Sequence, residues 1–219
     1  QSVYGLLTEF GHISADGLIS IPRSGADSTA LENRKKGLVG TIFAAKWFTK
    51  TYPKSIVASL YTDEAKLWLR DVQLEKEKHE RADLIGLYFD EETDVLHIMP
   101  IEVKTRDETP NALIKELPNV NEISGHAADQ IVSVMEMLRE MFNGHSENMF
   151  ISARREVLKY QIVSECFREI HDDAWQIYWE KLLKKLFGND PQSEIKINIS
   201  GLLIHVKLSG VENGKRVSC

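Results

Sequence analysis

Apolar residues recur along this chain with two different spacings, which predict a mixture of helices and strands. From 30 to 50 they stand three or four positions apart, which is helical spacing. The segments 55–61, 82–89 and 95–104 are instead short runs rich in apolar and β-branched residues, as in buried strands. The polar sequence "DEETD" between the last two runs predicts a hairpin loop.

The second half of the chain carries mostly helical spacing. Amphipathic helices are predicted over 125–142, 152–170 and 172–187, after a short earlier helix at 62–71 for which Thr62 is the predicted N-cap. Ser124 is the corresponding N-cap candidate for the first of the three. The segment "EIKINISGLLIHVKLSG" alternates between apolar and polar residues, which predicts a terminal hairpin or strand pair.

The order of these elements predicts a mixed α/β fold. At 219 residues the chain is long enough for one sizeable domain with an appendage. We divide it into an N-terminal extension, or the end of a preceding region, at 1–29, a core at 30–143, and a helical subregion with C-terminal strands at 144–219 that pack on the core.

Composition excludes several classes of protein. Hydrophobic residues make up 42% of the chain and charged residues 27%, as in ordinary globular domains. No apolar run reaches the roughly 20 residues of a membrane span, and no signal peptide opens the sequence. Two cysteines are too few for a disulfide framework or a cysteine-based zinc site. We therefore expect a cytoplasmic protein without a membrane partner.

Charge argues against a free-standing DNA-binding domain. The net charge is −6 and the pI about 5.7, whereas such domains are usually basic. The chain also begins with Gln rather than Met. We expect a part of a larger assembly, in which other domains or subunits supply much of the attraction to nucleic acid.

Ionisable residues inside the two predicted hairpin strands are the first candidates for chemistry. Acidic–x–Lys tripeptides occur at 64–66, 102–104 and 194–196. In a strand, residues two apart share a face, so Glu102 and Lys104 project together, whereas residues two apart on a helix do not. Only this middle pair follows a strand that itself carries an acid, Asp83.

These residues resemble the motif of the PD-(D/E)XK nuclease superfamily. Asp83 lies in "RADLIGLYF", and Glu102-Val103-Lys104 lies in "IMPIEVKT". The resemblance covers roughly 30–143 and includes most of the αβββαβ order of that superfamily. It implies a restriction-endonuclease-like mixed sheet flanked by helices.

The resemblance also implies a metal-dependent nuclease, an endonuclease that hydrolyses DNA phosphodiester bonds with Mg²⁺ or Mn²⁺. Mg²⁺ prefers oxygen ligands and is often held by one or two carboxylates, here those of Asp83 and Glu102. The backbone carbonyl of Val103 is the candidate third protein ligand. Lys104 would orient the attacking water or stabilise charge on the phosphate.

Two accessory positions follow from the same resemblance. Families in the superfamily often carry a glutamate on the first helix within "G-x-x-G-E-x-x-A", but this chain reads "GLVGTIFA", with Thr41 in place of the acid. Glu32, nearer the start of that helix, is then the candidate outer metal ligand. Some branches place a glutamine on the helix after the lysine strand, and Gln130 is the candidate for that catalytic position.

Other interpretations stay open at this stage. The three charged residues could form an ordinary salt bridge at the rim of a sheet, which would contribute only about 0–1 kcal/mol. The chain could be a nuclease-fold module with weak or no activity that binds nucleic acid or protein during assembly. It could also be a helical interaction domain. For the nuclease we expect DNA, subunits of a larger complex and a second copy of the chain as partners, with restriction or anti-phage defence as the setting.

Overall fold

The computed structural model describes residues 28–69, 81–106, 126–143, 148–169, 172–188 and 195–207. In chain order the elements are α1 (Ser28–Thr51), β1 (Ile56–Ser59), α2 (Asp63–Trp68), β2 (Leu84–Asp90), β3 (Val95–Arg106), α3 (His126–Asn143), α4 (Met149–Glu169), α5 (Asp173–Phe187), β4 (Lys196–Ile199) and β5 (Leu202–Lys207). The helix and strand types predicted from the spacing of apolar residues are confirmed within these ranges.

One mixed sheet organises the described residues. Strands β1, β2 and β3 pair in that order and are antiparallel, so β2 and β3 form the predicted hairpin. The other edge of β3 pairs in parallel with β4 along its first half and with β5 along its second half. The prediction of an α/β fold with a mixed sheet flanked by helices is confirmed.

The two predicted terminal strands are present, but they do not form a hairpin, because β4 and β5 lie end to end beside β3 rather than pairing with each other. The ladder is interrupted opposite Pro100. Ile98, two residues before Pro100, accepts a hydrogen bond from the N–H of Ser200 at 3.3 Å. Because alternate residues of a strand direct their backbone groups to the same side, the backbone of Pro100 also faces β4 and β5. Pro100 has no N–H to donate there, which explains a break in the parallel strand at this point.

Helices cover both faces of the sheet. On one face α1 packs through Ala44, Ala45 and Phe48 against side chains of β1, β2 and β3. The Cα of Gly40 lies so close to Thr105 that a Cβ there would overlap the Thr105 side chain, so the absence of a side chain brings α1 onto the end of β3. The opposite face carries the larger core, to which α2, α3, α4 and α5 all contribute.

A buried polar network fixes the segment that joins β1 to α2. Gln161 on α4 donates a hydrogen bond to the carbonyl of Ser59 at 2.8 Å and accepts one from the indole N–H of Trp68 at 2.8 Å. The hydroxyl of Thr62 accepts from the N–H of Ala65 at 3.1 Å, which confirms the predicted N-cap. A buried amide whose hydrogen bonds are satisfied holds a loop in a single conformation.

The described helices include none that is long and apolar enough to cross a membrane. The predicted cap Ser124 lies outside the described residues, and α3 is described from His126 onward.

Candidate active site

The open end of the β2–β3 hairpin places the two predicted carboxylates side by side. Asp83 directly precedes β2, and its N–H donates to the carbonyl of Ile101 at 3.0 Å. Leu84 pairs with Ile101, so the position of Asp83 falls opposite Glu102. The N–H of Leu60 also donates to the carbonyl of Asp83 at 3.0 Å, so the end of β1 joins the same edge of the sheet.

Asp83 is held in one orientation by a hydrogen bond from the backbone of β3. Its Oδ2 accepts from the N–H of Val103 at 2.8 Å, and the hydroxyl of Tyr61 lies close enough to the carboxylate to help lower its pKa. Burial raises the pKa of Asp83 above its usual value, although the hydrogen bond, the hydroxyl and the nearby charges of Lys104 and Arg81 act in the opposite direction. The Asp83 carboxylate is therefore held in place, while nearby donors and positive charges compensate its negative charge only in part.

Glu102 is the most deeply buried member of the site, with 2% of its surface exposed. Its Oε1 forms an ion pair with the ammonium of Lys104. Its Oε2 is buried and has no hydrogen-bond partner among the described residues. Burial, followed by repulsion from Asp83, raises the pKa of Glu102 to about 7.

Gln130 on α3 reaches the same site, as predicted for its position. Its Oε1 lies 3.4 Å from the ammonium of Lys104, and its Nε2 donates to the carbonyl of Arg81 at 2.8 Å. Gln130 is buried, and both its amide oxygen and its amide nitrogen are hydrogen-bonded. The side chain therefore links the lysine on β3 to the segment that enters β2.

Tyr61 and Arg81 belong to this site but were not among the predicted residues. The Arg81 guanidinium lies over the ring of Tyr61, 4.2 Å from its centroid. Burial, then the charges of Asp83 and Glu102, raise the pKa of Tyr61 to about 12, so its hydroxyl stays protonated as a donor. The signal that points to them is topological: the end of β1 and the approach to β2 meet at the sheet edge that holds Glu102.

Thr41, the first-helix position where an acid was looked for, supplies none to this cluster. Thr41 is buried on α1, and its hydroxyl donates to the carbonyl of Gly37 at 3.0 Å. Glu32 lies within α1, but its side chain is outside the described residues. Because a helix rises 1.5 Å per residue, its backbone lies about 12 Å along the axis from Gly40, where α1 meets the end of β3.

The oxygen atoms of Asp83, Glu102 and Val103 suit a hard divalent cation that needs few protein ligands. The ranges that the structure describes contain no group of three or more His, Cys, Asp or Glu side chains placed to hold a metal. Two carboxylates are sufficient for Mg²⁺, which retains several waters. In an extended strand the N–H and C=O of a residue point to the same side, so the Val103 carbonyl points to the side of β3 on which its N–H binds Asp83.

A rim salt bridge does not describe this arrangement. Only 3% of the Glu102 side chain and 28% of the Lys104 side chain are exposed. A buried ion pair loses hydration that its mutual attraction often fails to repay. Stability therefore gives no reason to keep these charges, and their burial at one edge of the sheet is typical of a functional site.

Comparison of the chain with protein-family models, curated proteins and solved structures found no match. Any functional assignment therefore rests on the geometry and chemistry of the site.

Proposed function

We propose that this protein is a metal-dependent nuclease that hydrolyses phosphodiester bonds of DNA. The observation that carries the proposal is the buried oxygen Oε2 of Glu102, which lies in a site shared with Asp83 and has no hydrogen-bond donor within the described part of the chain. An orphaned carboxylate oxygen next to a second carboxylate, both with raised pKa values, is a site of negative potential that a cation relieves.

The donor set fits Mg²⁺ or Mn²⁺. Asp83 and Glu102 offer carboxylate oxygens and Val103 offers a backbone carbonyl, and hard divalent cations prefer such ligands. Bound there, the cation would neutralise charge on the scissile phosphate and lower the pKa of a bound water.

The protein's own residues fix the geometry around that position. The N–H of Val103 holds the Asp83 carboxylate in place. Lys104 directs one donor to Glu102 and another to Gln130, so that among the residues the structure describes its third N–H is left to orient a water or a phosphate oxygen. Gln130 positions Lys104 because its other end is anchored on the backbone of Arg81.

The order of elements supports the same proposal. If α2, α4 and α5 are taken as additions, the chain runs α1, β1, β2, β3, α3 and then the strand formed by β4 and β5. This is the αβββαβ order that the sequence resemblance implies, with the candidate residues at the open end of the second and third strands. We propose the restriction-endonuclease-like fold on this basis.

The acidity of the chain supports a role within a larger assembly. Affinity for DNA comes largely from basic residues that displace counterions from the phosphates. A net charge of −6 supplies no such general attraction. We propose that a neighbouring domain, subunit or second copy of the chain provides most of the DNA affinity, while this domain provides the cleavage site.

A cleavage assay tests the proposal. Plasmid and linear DNA are incubated with Mg²⁺, Mn²⁺ or EDTA and with the wild type, Asp83→Ala or Lys104→Ala. We expect metal-dependent cleavage that falls at least about 100-fold in both variants, since each removes a charge from the reacting centre. The matched control is Lys66→Ala, which removes an exposed lysine paired with Asp63 on α2 and leaves activity unchanged.

The competing function is a nuclease-fold module that binds but does not cut. Thr41 favours it, because a buried threonine bonded to its own helix stands where related nucleases often carry an acid. DNA binding by the wild type without cleavage in either metal would support that module. Cleavage that persists unchanged in both variants would remove the proposed site.

A further inference from the structure

Arg81 is placed at the site by two independent contacts. Its carbonyl accepts a hydrogen bond from Gln130 at 2.8 Å, which fixes its backbone against α3. Its guanidinium lies over the Tyr61 ring at 4.2 Å, which fixes its side chain. Stacking on an aromatic ring limits the rotamers of arginine while leaving its N–H groups in one plane, free to donate at the edge.

The guanidinium has unused hydrogen-bonding capacity. Among the described residues Arg81 forms no ion pair, and its Nε is buried without a hydrogen-bond partner. Its charge acts on Asp83, whose pKa it lowers, yet the two side chains form no salt bridge. The two terminal Nη groups of Arg81 also form no hydrogen bond or ion pair among the described residues, and a positioned pair of such groups is suited to bidentate recognition of a phosphate.

Charge balance points to the same ligand. Lys104 is paired with Glu102, and the charges of both Lys104 and Arg81 act on Asp83, so the site contains two cations and two carboxylates. The four charges cancel when both acids are ionised. A divalent cation would then leave the site with two positive charges, which complements a phosphodiester whose negative charge increases during cleavage.

We propose that Arg81, supported by the ring of Tyr61, binds a phosphate of the nucleic-acid substrate beside the two carboxylates, an inference that rests on the proposed nuclease function. Tyr61 is a positioning residue, because its ring supports Arg81. The N–H of Tyr61 donates to the hydroxyl of Ser59 at 3.1 Å, and the Gln161 network holds this segment, so the support is preorganised.

Binding of a fluorescent 20-base-pair DNA duplex tests the inference. All proteins carry Lys104→Ala, so that the duplex is not consumed in Mg²⁺. We expect added Arg81→Ala to weaken binding about 10- to 100-fold, because a charge-assisted bidentate contact is lost, and Arg81→Lys to weaken it less. The matched control is Arg139→Ala, which removes the same charge from an exposed position on α3 and should change binding less than about twofold.

Salt dependence adds a readout that a purely structural role would not change. Removing one phosphate contact should lower the slope of log affinity against log salt by about 0.9 in Arg81→Ala but not in Arg139→Ala. Tyr61→Phe keeps the ring and should bind the duplex as the parent does. Tyr61→Leu loses the ring and should bind several-fold more weakly.

Cleavage kinetics with Lys104 restored separate this inference from the proposed function. We expect Arg81→Ala to raise KM more than it lowers kcat. Unchanged duplex affinity and unchanged salt slope in Arg81→Ala would overturn the role of Arg81 while leaving the nuclease intact. Arg81-dependent binding by a wild type that cleaves no DNA would overturn the nuclease but retain the phosphate site. No binding of the duplex by any form at low salt, where one phosphate contact counts most, would overturn the phosphate site.

Discussion

Both ends of the β2–β3 hairpin carry carboxylates, but the pKa of the carboxylate is lowered at the turn and raised at the open end. At the turn, Asp90 accepts hydrogen bonds from the N–H of Glu92 at 3.0 Å and the hydroxyl of Thr93 at 2.6 Å, and these bonds lower its pKa. Nearby, Glu91 pairs with Lys54 at 3.0 Å in an exposed salt bridge. The charged side chains of the turn are therefore exposed to water, hydrogen-bonded or paired with an opposite charge.

At the open end Glu102 is buried, Asp83 is half-buried, and the pKa values of both carboxylates are raised. Asp83 and Glu102 repel each other, and one oxygen of Glu102 has no donor among the described residues. The turn end therefore stabilises the fold, whereas the open end costs stability. A charge kept at a cost to folding indicates function, because sequences that only fold have no reason to retain it.

The largest effect on stability is expected at Glu102. Because burial raises its pKa from 4.5 to about 7, the free energy of unfolding of the metal-free protein should fall as pH rises from about 4.5 to 7. Glu102→Gln removes this loss and keeps an oxygen that accepts from Lys104. At pH 8 in EDTA the variant should be more stable by on the order of 2 kcal/mol, and at pH 4.5 about equal.

Denaturant unfolding of both proteins across this pH range measures the difference. Glu91→Gln serves as the control, since it removes an exposed carboxylate from the other end of the same hairpin. Destabilisation by Glu102→Gln at pH 8 would mean that this glutamate is a structural residue.

A smaller effect of opposite sign is expected at Asp90. Its pKa lies below the usual 3.8, so its contribution to stability is present above that value and is lost as the carboxylate protonates at lower pH. Asp90→Asn should therefore be less stable than the wild type at pH 7, and the difference should shrink in acid. Unfolding curves at pH 7 and pH 3 measure this, and equal stability at pH 7 would show that the turn bonds contribute nothing.

The smallest effect is expected at Glu91. An exposed pair gains little in water, so Glu91→Gln should change the free energy of unfolding by less than about 0.5 kcal/mol. The side chains of Lys54 and Glu91 are 53% and 60% exposed, and salt should screen what remains of the interaction. If Glu91→Gln lowered the free energy of unfolding by more than about 1 kcal/mol at high salt, the contrast between the two ends of the hairpin would not hold.

Much of the hairpin could be predicted from the sequence. Alternation placed Glu102 and Lys104 on one face of β3, and an acid just before the preceding strand placed Asp83 opposite them. Both relations depend on the two-residue period of a strand, and one turn fixes the register, so local sequence was sufficient.

The rest depends on contacts between distant parts of the chain. Tyr61 and Arg81 reach the site through the pairing of β1 with β2, and no local pattern marks either of them. The burial of Glu102 depends on α3 and on the parallel strands beside β3. The positions of these elements are determined by tertiary packing and not by local sequence. The end-to-end arrangement of β4 and β5 was missed because the same alternation suits a hairpin.

Titration with Mn²⁺ tests the central claim most directly, because it measures the two carboxylates without requiring DNA or a partner. Calorimetry at pH 8 compares the wild type with Asp83→Asn, Glu102→Gln and Asp90→Asn. We expect the wild type and Asp90→Asn to bind Mn²⁺ equally, and the two open-end variants to bind at least about tenfold more weakly, because each loses an anionic oxygen ligand. Equal binding by all four proteins, or none by the wild type, would contradict a metal site at the open end of the hairpin.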